Sequence, residues 1–239
     1  MGRRPPAPGA VTGRAPLPGA LIFDFDGLIL DTESPTYDAV ARIFAEHEVD
    51  LELGWWHSTL GTSNHVHWTD VLADRVGRPL DRDELVARRE QSRLVVIESL
   101  AVSDGLVDLL DGAEAAGVPC AVASSSGIGW VGGHLDRLRI RDRFAAVITS
   151  DDVGRDPRRT KPAPDLFLAA AAALGVDPAS CVVLEDSPNG VAAGRAAGMV
   201  VVAVPGPMTA PLDFSAAHLV VPSLAAVDVN RLGRLAATV

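Results

Sequence analysis

The chain has 239 residues, 48% hydrophobic and 22% charged, with a positive mean hydropathy. That excludes wholesale disorder and leaves enough apolar material for one large domain or a core plus a smaller unit. Its 31 acidic and 21 basic residues give a net charge of -10, which argues against a nucleic-acid partner bound by phosphate neutralisation. The two cysteines, Cys120 and Cys181, lie in apolar runs and point to a reducing, cytoplasmic setting rather than a disulfide scaffold, and no apolar stretch approaches the roughly eighteen residues of a membrane span.

Residues 1–19 hold prolines, glycines and three arginines with no acidic residue and no apolar h-region. They read as a disordered arm. Order begins with the buried-strand pattern Ala20-Leu21-Ile22-Phe23. It ends at Asp24-Phe25-Asp26-Gly27. Two carboxylates two positions apart at a strand exit can reach one reaction centre, one as nucleophile and one as proton shuttle. Gly27 allows a tight turn or a close approach to a ligand. Taken alone, the motif also fits an ordinary turn.

Residues 34–103 break the pattern. Tyr37 to Glu46, Val66 to Val76 and Asp83 to Leu100 read as helices, and three of the four tryptophans fall here. The segment is expected to form a second, helical unit inserted after the first strand. Within it, Trp55, Trp56, His57, Asn64 and His65 are candidates to face a ligand, although a Trp pair in a small helical unit also fits its core.

From residue 104 onward, apolar strands alternate with helical stretches. The strands are Val118 to Ala123, Phe144 to Ile148, Cys181 to Leu184, Met199 to Val204 and Leu219 to Val221. The helices are Asp104 to Ala116, Gly127 to Leu138, Pro164 to Leu174 and Ser187 to Ala197. This is the signature of an α/β fold, a Rossmann-like parallel sheet covered on both faces, with ligands at the carboxyl ends of the strands.

Three further motifs sit at such ends. Ser124-Ser125-Ser126 offers hydroxyls and turn amides to an anion. Thr160-Lys161-Pro162-Ala163-Pro164-Asp165 carries the chain's sole lysine; Arg supplies the other 20 positive charges. A position that keeps Lys in so arginine-rich a chain points to a need for a compact ammonium. Arg155, Arg158 and Arg159 beside it could attract phosphate or could be a solvated loop, and Asp151-Asp152 reads as a turn before it. Glu185-Asp186 follows the strand ending at Leu184, with Ser187-Pro188 as helix cap and first residue. Two acidic pairs at equivalent edges repel unless a cation lies among them, and oxygen-only ligands suit Mg2+. His134 and His218 have no partner in these motifs.

Together, Phe23 to Glu33, Ala123 to Ser126, Lys161 to Asp165 and Leu184 to Gly190 resemble the haloacid-dehalogenase-like phosphohydrolases, within them the β-phosphoglucomutase and phosphoglycolate phosphatase branch, over roughly residues 20 to 225. The resemblance implies a core of residues 20–33 and 104–239 with residues 34–103 as a helical cap. It implies Asp24 as the nucleophile that becomes a phosphoaspartate, and Asp26 as acid and then base. Ser124, with Ser125, Gly27 and Asn64, would contact substrate or phosphate, and Lys161 would bridge phosphoryl group and nucleophile. Mg2+ would be held by Asp24, the Asp26 carbonyl and Asp186, with Glu185 close by. A small phosphorylated metabolite is then the expected partner, and a monomer or homodimer the expected state.

Asp26 disfavours the carbon–halogen and carbon–phosphorus reactions, whose enzymes usually lack an acid two residues after the nucleophile. A phosphosugar mutase is the alternative. Its branch usually carries His where this chain has Thr36, and Gly-x-Ser-Arg where it has Gly61-Thr62-Ser63-Asn64. A non-catalytic binding protein on the same fold would not require Asp24, Asp26, Lys161 and Asp186 together.

Overall fold

The computed structural model describes residues 16–60 and 66–239. Asn64, His65 and most of the N-terminal arm lie outside the described residues.

The arm's last residues depart from expectation. Gly19 N–H donates to the Ser180 carbonyl at 2.8 Å, Leu17 packs on the core, and the Pro16 carbonyl lies so close over Gly233 that a Cβ there would sit 2.0 Å from it. Prolines bring no N–H that needs a partner, so this extended stretch can lie on the core with few backbone bonds.

Six strands, β1 (Ala20–Phe23), β2 (Cys120–Ala123), β3 (Ala146–Ile148), β4 (Cys181–Glu185), β5 (Val200–Ala203) and β6 (Leu219–Val220), form one parallel sheet in the order β3-β2-β1-β4-β5-β6. β1, β2, β4 and β5 are buried along their whole length, so their sequences are continuous apolar runs rather than alternations. β2, β3 and β5 are shorter than their apolar runs because Val118, Phe144 and Met199 fill the core from the flanking turns.

One face is covered by α5 (Leu106–Ala116), α6 (Ile128–Arg137) and α9 (Val229–Ala236), the other by α7 (Asp165–Leu174) and α8 (Pro188–Ala196). Alternate strand residues divide between the faces: Leu21 and Phe23 join the first layer, Ala20 and Ile22 the second. α9 is an element the sequence reading did not include, and it buries Leu232 completely.

β1 lies between β2 and β4, with Phe23 paired to Val122 on one side and Leu184 on the other. Connections leave in opposite directions here, and the strand ends splay to form a crevice.

After a short loop the chain leaves the sheet into α1 (Glu33–Glu46), α2 (Leu53–Thr59), α3 (Trp68–Val76) and α4 (Arg82–Ile97). Helix α1 starts four residues before the expected Tyr37, and α2 is too short to show an apolar period. These helices bury a hydrophobic cluster of their own around Val40, Phe44, Trp56, Trp68 and Leu72. Trp56 is therefore core, as its pairing with Trp55 allowed.

The return to the sheet is fastened by Arg137 of α6. Its guanidinium donates to the carbonyls of Ile97 at 3.2 Å, Glu98 at 3.0 Å and Leu100 at 3.0 Å. These are among the last carbonyls of α4 and the turn beyond it, which have no partner within the helix.

Both cysteines are buried and free. Burial pushes the Cys120 thiol up to about 12, against Arg143. It pushes Cys181 up to about 11, with Asp177 adding. The thiolate is the reactive form, so neither thiol should react with a disulfide reagent such as DTNB in the native protein at pH 8, and both should after unfolding in guanidinium. Rapid stoichiometric labelling of the native protein would contradict this packing.

Candidate active site

The carboxyl ends of β1, β2 and β4 open into a cavity of about 700 Å³, lined among others by Asp24, Asp26, Ser124, Ser125, Lys161 and Asp186. The sheet register sets this convergence. Because Phe23 pairs with Leu184, Asp24 emerges beside Glu185 and Asp186; the Asp24 N–H donates to the Leu184 carbonyl at 3.0 Å.

Lys161 enters from the loop before α7. Its ammonium pairs with the Asp24 carboxylate and, at 2.6 Å, with Glu185 Oε1. The lysine side chain is 7% exposed and that of Glu185 not at all. The apolar surroundings of Lys161 include the aromatic ring of Phe167, whose centre lies 4.9 Å from the ammonium. Glu185 Oε2 accepts from Ser187 N–H at 3.1 Å and Ser187 Oγ at 3.0 Å. Ser187 also caps α8 through Gly190 N–H. Gly190 has no room for a side chain: a Cβ there would sit 1.8 Å from the Glu185 carboxyl.

Asp24, Glu185 and Asp186 bring carboxylate oxygens within 4.8 Å of one another, all buried. Burial pushes Asp24 up to about 8 against the pull of Lys161, with Glu185 and Asp26 adding. Burial also raises Asp186 well above the usual carboxylate range, and the charges of Asp24 and Glu185 add to it. Burial alone would lower Lys161, but Asp24 and Glu185 outweigh it and hold the ammonium above its ordinary value. Three carboxylates thus face one ammonium, an excess of negative charge that a divalent cation would relieve. The donors are oxygens only, which fits a hard cation.

Gly27 stands at φ 85°, and a Cβ on it would lie 2.0 Å from Asp186 Oδ2. Its N–H donates to the Leu30 carbonyl at 2.8 Å. Its contribution is therefore space for Asp186 and a tight turn rather than an amide aimed at a ligand.

Asp26 is held by four side chains. Thr32 Oγ1 donates to Oδ1 at 3.0 Å and Trp130 Nε1 at 2.8 Å; Ser126 Oγ donates to Oδ2 at 2.6 Å and Ser124 Oγ lies at 3.4 Å. Of the serine cluster, Ser124 is buried, and its Oγ accepts from Ser126 N–H at 3.0 Å. Ser125 is exposed on the cavity wall.

The wall farther from the sheet comes from the helical insert. It includes Glu33, Thr36, Leu60, Arg89 and Arg93, with Trp130, Asn189 and Thr209 from the core. Arg89 and Arg93, one turn apart on α4, both pair with Glu90, Arg93 at 2.7 Å. Burial pushes the Glu33 carboxyl up to about 7, with Asp26 and Asp31 adding and Arg93 opposing. Trp55 and Trp56 line a smaller adjoining cavity instead, and His57 lines neither.

The sequence reading missed Thr32, Glu33, Arg89, Arg93 and Trp130. The arginines carried a usable signal, a four-residue spacing that puts both on one helix face. Trp130 carried only its position, six residues after Ser124. The arginines flanking Lys161 do not form a free phosphate-attracting patch. Arg155 pairs with Asp151, Arg158 with Asp156 at 2.7 Å and Arg159 with Asp165 at 2.6 Å, all at the surface. The expected Asp151-Asp152 turn is a 3-10 turn closed by Thr149 and Asp152. His134, without a motif partner in the sequence, packs against Phe25 and Trp130.

A family of hydrolases, described as haloacid dehalogenase-like, matches residues 18–198. YhcW of Bacillus subtilis, a phosphatase by name, is 40% identical over 195 residues, covering 82% of this chain and 87% of that protein. Hexitol phosphatase B of Escherichia coli K12 is 31% identical over 207 residues, covering 79% and 84%. A haloacid-dehalogenase family hydrolase of Deinococcus radiodurans, solved with bound phosphate and sodium, superposes with a TM-score of 0.73 at 28% identity over 89% of this chain and 94% of that one. With the family matched across three quarters of its length, and its carboxylates, serine and lysine gathered at one edge of the sheet, this chain belongs to the haloacid dehalogenase-like hydrolases.

Proposed function

We propose that the chain is a Mg2+-dependent phosphoric monoester hydrolase that releases phosphate from a small phosphorylated metabolite through an aspartyl-phosphate. The observation that carries this reading is the buried Asp24–Lys161–Glu185 cluster, two residues from Asp26, at the floor of a cavity with a polar far wall.

Asp24 attacks phosphorus; the bond to the leaving oxygen breaks and Asp26 supplies that oxygen's proton. Water then attacks phosphorus, Asp26 takes its proton, and the bond to Asp24 breaks to release inorganic phosphate. Lys161 and Ser124 neutralise and orient the phosphoryl oxygens, and Glu185 keeps the ammonium in place. Asp24, Asp186 and the Asp26 carbonyl would hold the ion, which when bound shields phosphate charge and keeps Asp24 ionised. Residues 34–103 serve as the cap that excludes water.

The name of hexitol phosphatase B supports a sugar or polyol phosphate as substrate, as do the hydrogen-bonding groups Glu33, Thr36, Asn189 and Thr209 on the cavity wall. The free cysteines support a cytoplasmic setting. The protein would act as a monomer or homodimer.

The direct test is phosphate release from a panel of phosphorylated metabolites and p-nitrophenyl phosphate. Activity should appear with Mg2+ and vanish with EDTA, and β-glucose 1-phosphate should yield phosphate rather than an isomer. Isomerisation without release would favour the mutase, and no turnover on any ester would favour a binding protein.

Asp24→Asn should lower kcat by several orders of magnitude, and borohydride trapping during turnover should label Asp24 alone. Label on another residue would move the nucleophile.

Lys161→Arg keeps the charge but brings a planar fork into a space closed by Asp24, Glu185 and Phe167. It should cost at least about ten-fold in kcat/KM, about 1.4 kcal/mol. Kinetics within two-fold of wild type would remove Lys161 from phosphate binding.

A further inference from the structure

The Asp26 carboxylate has two unlike sides. Oδ2 faces the serine cluster, receiving Ser126 Oγ at 2.6 Å with Ser124 Oγ at 3.4 Å. Oδ1 faces away from it and accepts two donors, Thr32 Oγ1 and the Trp130 indole N–H. An indole has one polar atom and can only donate, so this contact fixes both the ring and the oxygen it meets.

The ring is itself braced. The Arg93 guanidinium of α4 lies 4.6 Å from its centre. His134 of the same helix as Trp130 meets it edge-on at 4.3 Å. Burial and then the Arg137 charge hold the His134 imidazole below its ordinary pKa, and its Nδ1 lies 3.2 Å from Arg137 Nε. Thus Trp130 touches the helical insert on one face and the carboxylate beside the phosphoryl site at its edge.

We propose that Trp130 is a positioning residue for Asp26: its indole N–H anchors Oδ1 and leaves Oδ2 as the oxygen that exchanges the proton, and Arg93 makes this grip depend on the seating of the helical insert. No bond to Trp130 or Arg93 forms or breaks; the proton moves between Asp26 Oδ2 and the leaving oxygen or water. Small displacements of a proton donor carry large rate penalties, whereas a residue that only fills space would affect stability and binding alike.

This inference rests on Asp26 as the proton donor, so the experiment includes Asp26→Asn. Trp130→Phe keeps a ring between Arg93 and His134 and removes the N–H. Single-turnover phosphorylation is measured with an alkyl phosphate, whose leaving oxygen needs a proton, and with p-nitrophenyl phosphate, whose leaving group does not. Trp130→Phe should slow the alkyl ester about ten-fold with KM within two-fold of wild type, and slow p-nitrophenyl phosphate less than two-fold. Equal losses on both esters, or a wild-type rate on the alkyl ester while Asp26→Asn is slow, overturns the role of Trp130. A wild-type rate for Asp26→Asn overturns the acid assignment, and this inference with it.

Arg93→Met leaves the indole intact and supplies a second variant should Trp130→Phe not fold. It should show the same ester-selective loss, and the double variant should be no more than two-fold slower than the slower single one. Multiplying losses overturn the link to the insert. In 15N–1H spectra one of the four tryptophan indole signals, absent from Trp130→Phe, should shift in both Asp26→Asn and Arg93→Met. An unmoved signal overturns the contact.

Discussion

The charge balance at the ends of β1 and β4 governs the architecture of the site. Lys161 is almost fully buried between Asp24 and Glu185. Removing one partner from such a group leaves an uncompensated buried charge, at a cost of about 3–5 kcal/mol. The surroundings are arranged to prevent that. Ser187 holds the second oxygen of Glu185, Gly190 leaves the space that Glu185 fills, and Gly27 leaves the space that Asp186 fills. Even so, three carboxylates against one ammonium leave the cluster short of positive charge, and burial together with the neighbouring carboxylates raises Asp24 and Asp186. On the proposed mechanism, a cation bound here would offset that shortfall and keep Asp24 ionised, so substrate chemistry and ion binding would share one electrostatic constraint.

The helical insert adds a second level of organisation. It buries a hydrophobic cluster of its own around Phe44, Trp56 and Trp68. Its attachment includes directed polar contacts: Arg137 grips the carbonyls at the end of α4, and Arg93 lies over Trp130. Both contacts meet on α6, the helix that follows the serine cluster. The loop before α6 in turn contacts Asp26 through Ser124 and Ser126.

Much of this was legible in the chain. The apolar runs at Ala20–Phe23, Val118–Ala123 and Cys181–Leu184 announced buried parallel strands, because a strand covered on both faces has no polar side to show. Acidic pairs directly after two such runs announced a shared edge. The sole lysine marked the loop that reaches Asp24 and Glu185. The misses have equally specific causes. Seven residues of α2 hold no helical period, and α9 is eight residues long, follows a 3-10 turn late in the chain and buries just Val229, Leu232 and Gly233. The arginines around Lys161 looked available because sequence does not reveal that Asp151, Asp156 and Asp165 lie within reach of them.

By itself the sequence determined the residue types for phosphoryl chemistry, the strand ends that carry them and the helical insertion, since each follows from local pattern and spacing. Tertiary structure decided which groups meet. Glu185 serves Lys161 rather than standing free, because β4 pairs beside β1 and brings it against the lysine loop. Trp130 reaches Asp26 across 104 residues of chain, because β2 lies on the other side of β1 and starts α6 above it. Such meetings depend on strand order and register, properties of the packed sheet that no single segment of the chain encodes.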